Sequence, residues 1–194
     1  MISFVLAILL LIITPGPGVL SQAGVGAAYG YRNGLKYLTG LFIGTNIVFI
    51  AVMTGLAGIM LSIPLLRTIL LIASALYLGY LAFKIATAGA RIAFIESKSS
   101  PGIANGILLQ IINPKAYAVS TTLLSGFNYA PDSPLFESLT KLVLYNIIWV
   151  PIHLLWLAAG VNLKRLALTE SAQRTINIFM AVAMLAVVAL ALFS

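Results

Sequence analysis

The chain has no cysteine and a single histidine, and only 4 of its 194 residues are acidic. Without cysteine there is no disulfide framework and no thiolate metal site, and the redox compartment is left unspecified. One histidine cannot build a ligand cluster, so a metal centre is excluded on ligand count and no cofactor is expected. Charge of either sign is scarce: 8% of residues are charged against 61% hydrophobic, and the mean hydropathy is +1.10. Such a chain cannot solvate its own surface in water, so it reads as an integral membrane protein whose first partner is the lipid bilayer. The net charge of +7 would suggest nucleic acid in a soluble protein. Basic residues scattered between apolar runs fit membrane orientation instead, and no nucleic-acid partner is expected.

What the chain has in abundance is long apolar runs. A bilayer core of about 30 Å takes roughly 20 apolar residues per helix, and that length picks out six candidates. They run from Ile2 to Ala27, Tyr37 to Leu61, Leu66 to Ala88, Ile103 to Phe127, Leu139 to Val161 and Thr175 to Phe193. The connectors "YGYRNG", "SIP", "IESKSSPG", "NYAPDSP" and "NLKRLALTES" are short and carry turn residues. The expected fold is therefore all-α, a polytopic membrane protein with six transmembrane helices in a single domain over 1–194. The first run has the apolar look of a signal peptide. It lacks a basic leader and its apolar character resumes past the prolines, so it is kept as a span.

Lysine and arginine set the orientation. The first, third and fifth connectors hold Arg32 and Lys36, then Arg91 and Lys98, then Lys164, Arg165 and Arg174; the second and fourth hold Arg67 and the span-edge Lys141. The odd connectors are then cytoplasmic, and both termini lie outside with Asp132 and Glu137 in an outer loop. A first segment that only dips into the membrane would leave five spans and an inside N-terminus.

Two stretches break the apolar runs in the same way. "LLIITPGPGVLSQAG", residues 10–24, and "QIINPKAYAVS", residues 110–120, each put proline inside a span, and a shift of 97 residues, half the chain, lays Pro17 on Pro114. Three spans per half is an odd number, so the second half enters the membrane from the opposite side. That predicts two inverted three-helix repeats, roughly 1–97 and 98–194, with broken first and fourth helices, the construction of many secondary transporters. Proline suits the first helical position and Asn, Thr or Gly suits the cap. Thr14 or Gly16 would cap and Pro15 or Pro17 begin one half-helix, running into Gly18; Asn113 would cap and Pro114 begin the other. Each end would present free N–H groups to an anion such as a carboxylate.

Lys115 follows the second break about 12 residues into its span, roughly 18 Å deep at 1.5 Å per residue. A lysine there costs about 2.5–3.5 kcal/mol against lipid, and no acid falls in any expected span to pair with it. It either donates to carbonyls freed by the break or awaits an anionic group from a substrate. Asn146, Trp149, His153, Trp156 and Gly160 share one face of the fifth span beside Pro151, as a polar pathway or as interhelical glue. His153 is also a candidate proton relay. Tyr77, Tyr80 and Lys84 share another face, with Lys84 snorkelling to the cytoplasmic end. Gly26, Gly30, Gly34, Gly40 and Gly44 follow the spacing of close helix packing.

"TPGPGVL", "GYRNGLKYLTGLFIG", "ALYLGYLAFK" and "INPKAYAVSTTLLSGF" resemble, in order and spacing, the lysine exporter or homoserine/threonine resistance (LysE/RhtB) family of small amino-acid exporters. The resemblance covers almost the whole chain. It implies efflux of amino acids from the cytoplasm through a multi-pass protein of the cell (inner or plasma) membrane, driven by the proton motive force. It marks Pro15, Gly16, Pro17, Asn113, Pro114 and Lys115. Many members carry an acid just after the second glycine of the second span, where this chain reads Gly44, Thr45, Asn46. Protons would then have to use His153, Lys115 or the substrate itself, unless transport is facilitated.

An amino acid's carboxylate could meet Lys115 and the half-helix ends, and its ammonium the freed carbonyls or the rings of Trp149 and Tyr117. Asn46 and Asn146 complete the expected polar lining. A site without buried acid favours neutral, small amino acids over lysine or arginine. A passive channel or facilitator for zwitterions is the alternative, and a homo-oligomer is compatible with either. An intramembrane enzyme would need a nucleophile and base, and Ser120 or Ser125 with a distant His153 lacks that constellation.

Overall fold

The computed structural model describes residues 1–14, 16–66 and 100–165, with isolated positions between 68 and 83 and between 169 and 182. Pro15, Tyr77, Lys84, Arg91, Lys98 and most of the expected third and sixth spans lie outside the described residues. Every regular element among those described is helical: α1 (Ile2–Ile13), α2 (Pro17–Met53), α3 (Leu56–Ser62), α4 (Ile103–Ile112), α5 (Pro114–Ser125) and α6 (Pro134–Arg165).

Both expected breaks are present, and they have the same local cause. A residue before proline is pushed out of the helical region. Thr14 (φ −58°, ψ 125°), Gly16 (φ −161°, ψ 180°) and Asn113 (φ −81°, ψ 107°) each precede a proline and each is extended or otherwise non-helical. Pro17 and Pro114 then start α2 and α5 at the position where a missing N–H costs nothing.

α2 is a helical hairpin. At Gly30 the backbone takes φ 74° and ψ 179°, a region open to glycine and strained for other residues. Gln22 Nε2 donates to the carbonyl of Gly34 over 3.2 Å, although twelve residues of straight helix would hold them about 18 Å apart. The arms on either side of Gly30 therefore lie antiparallel, and the connector "YGYRNG" shrinks to one residue. Among the described residues nothing lies within 4 Å of where a Cβ on Gly30 would stand, so it is a turn residue and not the packing position its spacing suggested. Similarly, the second span does not run unbroken to Leu61: α2 stops at Met53, and Gly55 turns with φ 78° before α3.

The other glycines of that series do pack. A Cβ on Gly40 would run into the backbone of Ile103, one on Gly44 would come within 2.9 Å of Ile107 O, and one on Gly26 within 2.9 Å of Leu157 O. These approaches let the second arm of α2 lie along α4 and the first arm along α6. Pairs Gly18 with His153 and Gly26 with Val161 run in the same sense along α6, whereas Thr45 with Tyr145 and Gly34 with Leu157 run in the opposite sense. At the far end Phe4 of α1 meets Phe127, just past α5, at 5.6 Å. α1 and the first arm thus traverse the molecule along α6, and α4 and α5 traverse it the other way.

Two helices among the described residues, Pro17–Met53 and Pro134–Asn162, are long and apolar enough to cross a bilayer; Ile2–Ile13 and Ile103–Ile112 are shorter apolar helices. Leu135, Leu139, Val143 and Ile147 form an exposed apolar stripe on α6, as do Ile2, Leu6, Leu10 and Ile13 on α1, surfaces suited to hydrocarbon and not to water.

One expectation about charge is corrected. α6 begins at Pro134, ahead of the expected Leu139, because the proline starts the helix there; Glu137 falls in its first turn and not in a loop. Glu137 Oε1 pairs with Lys141 Nζ at 2.7 Å one turn on, and Oε2 accepts from the N–H groups of Tyr129 and Ala130. Lys141 is buried and donates to the carbonyl of Leu124 at the end of α5. An acid and a base do therefore share a helix here, tying the 126–133 loop to α6.

Candidate functional site

The two breaks face each other across a cleft with about 380 Å³ of empty space, its open mouth included. The end of α1 contributes Leu11, Ile12 and Thr14, and the start of α2 contributes Gly16, Gly18 and Val19. Gln110 comes from α4, and Asn113, Lys115, Ala116 and Val119 from the second break and α5. Thr45 of the second α2 arm and Tyr145, Trp149 and His153 of α6 close the wall. Trp149 is midway along α6 (Pro134–Arg165), which puts the cleft at mid-height.

Lys115 crosses from one break to the other. Its Nζ donates to the carbonyl of Thr14 over 2.6 Å, a carbonyl that α1 frees where its hydrogen-bond ladder stops. A Cβ on Gly16 would stand 2.7 Å from Lys115 Cδ and 3.1 Å from Nζ. Gly16 is extended, a conformation open to any residue, so its reason for being glycine is this crossing. No carboxylate lies among the described lining residues, leaving the ammonium to a backbone dipole. Gly16→Ala would press on a flexible side chain, which can move, and not on backbone. The expected outcome is normal folding with transport lowered about tenfold, the value of one displaced charge-assisted hydrogen bond. Flux per folded molecule in proteoliposomes checks it.

The two helix ends differ. At α5 the N–H of Lys115 donates to Asn113 Oδ1 (3.1 Å) and that of Ala116 to Asn113 O (3.0 Å), so the turn is capped from within. At α2 the cap is a glycine without a side chain, the first intrahelical bond is Leu20 N–H to Gly16 O, and the N–H groups of Gly18 and Val19 have no acceptor within the helix. The free end of the pair is therefore the one after Pro17.

Of the other residues singled out from the sequence, Trp149 and His153 line the cleft, their rings stacked at 3.5 Å with 17° between planes. His153 Nδ1 is 3.0 Å from Trp149 O; a carbonyl only accepts, so Nδ1 carries the hydrogen. Asn46 and Asn146 are not lining residues: they exchange two hydrogen bonds, at 3.0 and 2.8 Å, between α2 and α6. Tyr117 also lies outside the lining, its hydroxyl donating to Ile111 O. Pro17 and Pro114 set the breaks without facing the space. Among the described residues Ser120 Oγ has no hydrogen-bond partner, His153 included, and Ser125 Oγ donates to Thr121 O.

The sequence reading missed Gln110, Thr45 and Tyr145. Tyr145 OH and Thr45 Oγ1 are 2.9 Å apart, a bond that braces α2 against α6 beside the cleft. Gln110 accepts at Oε1 from Asn113 Nδ2 over 2.9 Å. The available signal was its position three residues before Asn113, one turn back along the same helix face.

Residues 9–194 match the LysE type translocator family. The leucine efflux protein of Enterobacter sp. (strain 638) is 28% identical over 119 residues, which cover 59% of this chain and 56% of that protein. The chain therefore matches only about half the length of that relative. No solved structure matches. Since the family match takes in both breaks, Lys115 and every wall of the cleft, the chain belongs to the LysE type translocator family, membrane-embedded transporters and not enzymes.

Proposed function

We propose that this protein exports neutral amino acids from the cytoplasm, binding the substrate carboxylate at Lys115 and the open N-terminus of α2. The observation that carries the reading is the lysine at mid-height, bonded among the described residues only to a carbonyl freed by a broken helix, in a cleft with no acid among its described lining residues. A lysine near the bilayer centre is costly, about 2.5–3.5 kcal/mol, and a substrate carboxylate would offset that cost. The substrate's ammonium would use Thr14 O once Lys115 turns to the carboxylate, with the apolar side chain against Leu11, Ile12 and Val19. The family and the leucine efflux protein support amino-acid export, and the apolar lining favours a substrate of leucine's kind.

Proton coupling belongs to the same reading. His153 Nε2 is the cleft's free base when Nδ1–H is committed to Trp149 O. The inverted repeat, six spans and outside termini belong to it too. Their support is the pair of proline-started half-helices running in opposite senses, and the grouping of Arg32, Lys36 and Arg165 at the Gly30 end of the molecule, away from Glu137.

Counterflow in proteoliposomes tests the reading against a panel of amino acids. Saturable, counter-directional flux of neutral amino acids, accelerated by a pH gradient, is expected. Linear, non-saturating flux would identify a passive channel, and no amino-acid flux would remove the proposal.

A further inference from the structure

Gln110 is almost fully buried and faces the cleft, yet the carboxylate site just described gives it no part. Its amide is held in one orientation by an obligatory chain of donors and acceptors. The N–H of Lys115 can only donate, so the Asn113 atom that receives it is the carbonyl oxygen. The other terminal atom of Asn113 is then NH2, which must meet an acceptor on Gln110, and that acceptor is Oε1. Gln110 Nε2 is what remains. It lies 3.5 Å from the point a Cβ on Gly18 would occupy, His153 Nε2 lies 3.7 Å from the same point, and Gln110 Oε1, already bonded to Asn113, lies 3.9 Å from it. The missing side chain at Gly18 thus uncovers an NH2 donor and an imidazole acceptor side by side, next to the free N–H groups that begin α2.

We propose that Gln110 is a further substrate-binding residue of the cleft. Its amide nitrogen is the second side-chain donor to the substrate carboxylate, beside Lys115, and Asn113 is the positioning residue that occupies the Gln110 oxygen and leaves the nitrogen for the substrate. An acceptor at this point would face the carboxylate lone pairs, so the fixed donor selects for a carboxylate over a neutral group in its place. The proposal rests on the reading that the carboxylate binds at Lys115.

Two variants reverse the donor by different routes. Gln110→Glu keeps the acceptor that Asn113 needs and replaces NH2 by oxygen. Asn113→Asp keeps the acceptor for the Lys115 N–H but removes the donor to Gln110, so the Gln110 amide turns over and presents Oε1 to the cleft. Inhibition of radiolabelled leucine counterflow by unlabelled leucine and by leucinamide, which has a neutral amide in place of the carboxylate, is measured for each in proteoliposomes, per folded molecule. Both variants are expected to lower the ratio of leucine to leucinamide inhibition by about tenfold, the scale of a lost hydrogen bond to a charged group. The parent ratio in either folded variant overturns the proposal, and should one variant fail to fold, the other decides it. Lys115→Met separates this inference from its foundation. If that variant loses flux while the Gln110 and Asn113 variants keep the parent ratio, only the role of Gln110 falls; if it transports at the parent rate, the carboxylate site itself falls.

Discussion

Lys115→Met is expected to lower leucine counterflow roughly a hundredfold, as removal of a charged hydrogen-bond donor of about 1.5–3 kcal/mol implies, while the protein still folds. Methionine keeps an unbranched stem that can lie over Gly16, and it removes a cation that is costly in the membrane. The loss on folding is confined to one bond, to Thr14 O, at the rim of a cleft where water can replace it. Stability should therefore hold while the charge that receives the carboxylate disappears. The measurement is flux normalised to folded protein, with unfolding temperature in detergent alongside. Parent-level flux would make Lys115 a structural donor only.

A large effect on stability is expected from Gly106→Ala. A Cβ there would press on Tyr37 O, stand 2.6 Å from Leu41 N and 2.8 Å from Gly40 C, all of it backbone. That backbone cannot retreat, because Gly40 itself is pressed against Ile103. The cost is on the order of 3 kcal/mol, the upper end for overpacking, or roughly 6–12 °C in unfolding temperature for a chain of this size. Gly58→Ala, with nothing among the described residues within 4 Å of the added methyl, is the control and should melt with the parent. Equal melting of Gly106→Ala would mean that α2 and α4 are not in backbone contact.

The parts of this architecture that were legible in the sequence are those set by local chemistry. Proline dictates its own φ and the conformation of the residue before it, so the two breaks and the cap at Asn113 could be read from "TPGPG" and "INPK". The lack of an acidic neighbour for Lys115 followed from counting, and the described lining of the cleft holds no acid. What depended on tertiary packing was hidden. "YGYRNG" signals a turn, but only packing against Leu157 shows that Gly30 alone makes it. Glu137 and Lys141 are four residues apart across the expected span boundary, which was placed at Leu139 by hydropathy, whereas the helix starts at Pro134 and pairs them. Gln110 is one amide in the apolar run "LLQII", and its role follows from Asn113 and Gly18, the latter on another helix. The equivalence of the two helix ends was an expectation from sequence symmetry. In the structure Asn113 caps its own turn and Gly16 cannot, so the symmetry of the breaks does not extend to their chemistry.

The most direct test of a carboxylate held at Lys115 changes the substrate and not the protein. Leucinamide keeps the ammonium and side chain of leucine and replaces the carboxylate by a neutral amide. In competition against radiolabelled leucine counterflow through the parent protein, unlabelled leucine is expected to inhibit at least about tenfold more strongly than leucinamide, as loss of a charged hydrogen-bond partner requires. In Lys115→Met, the preference should shrink to what the α2 N–H groups and Gln110 still supply. Equal inhibition of the parent protein by leucine and leucinamide would contradict a carboxylate site at Lys115.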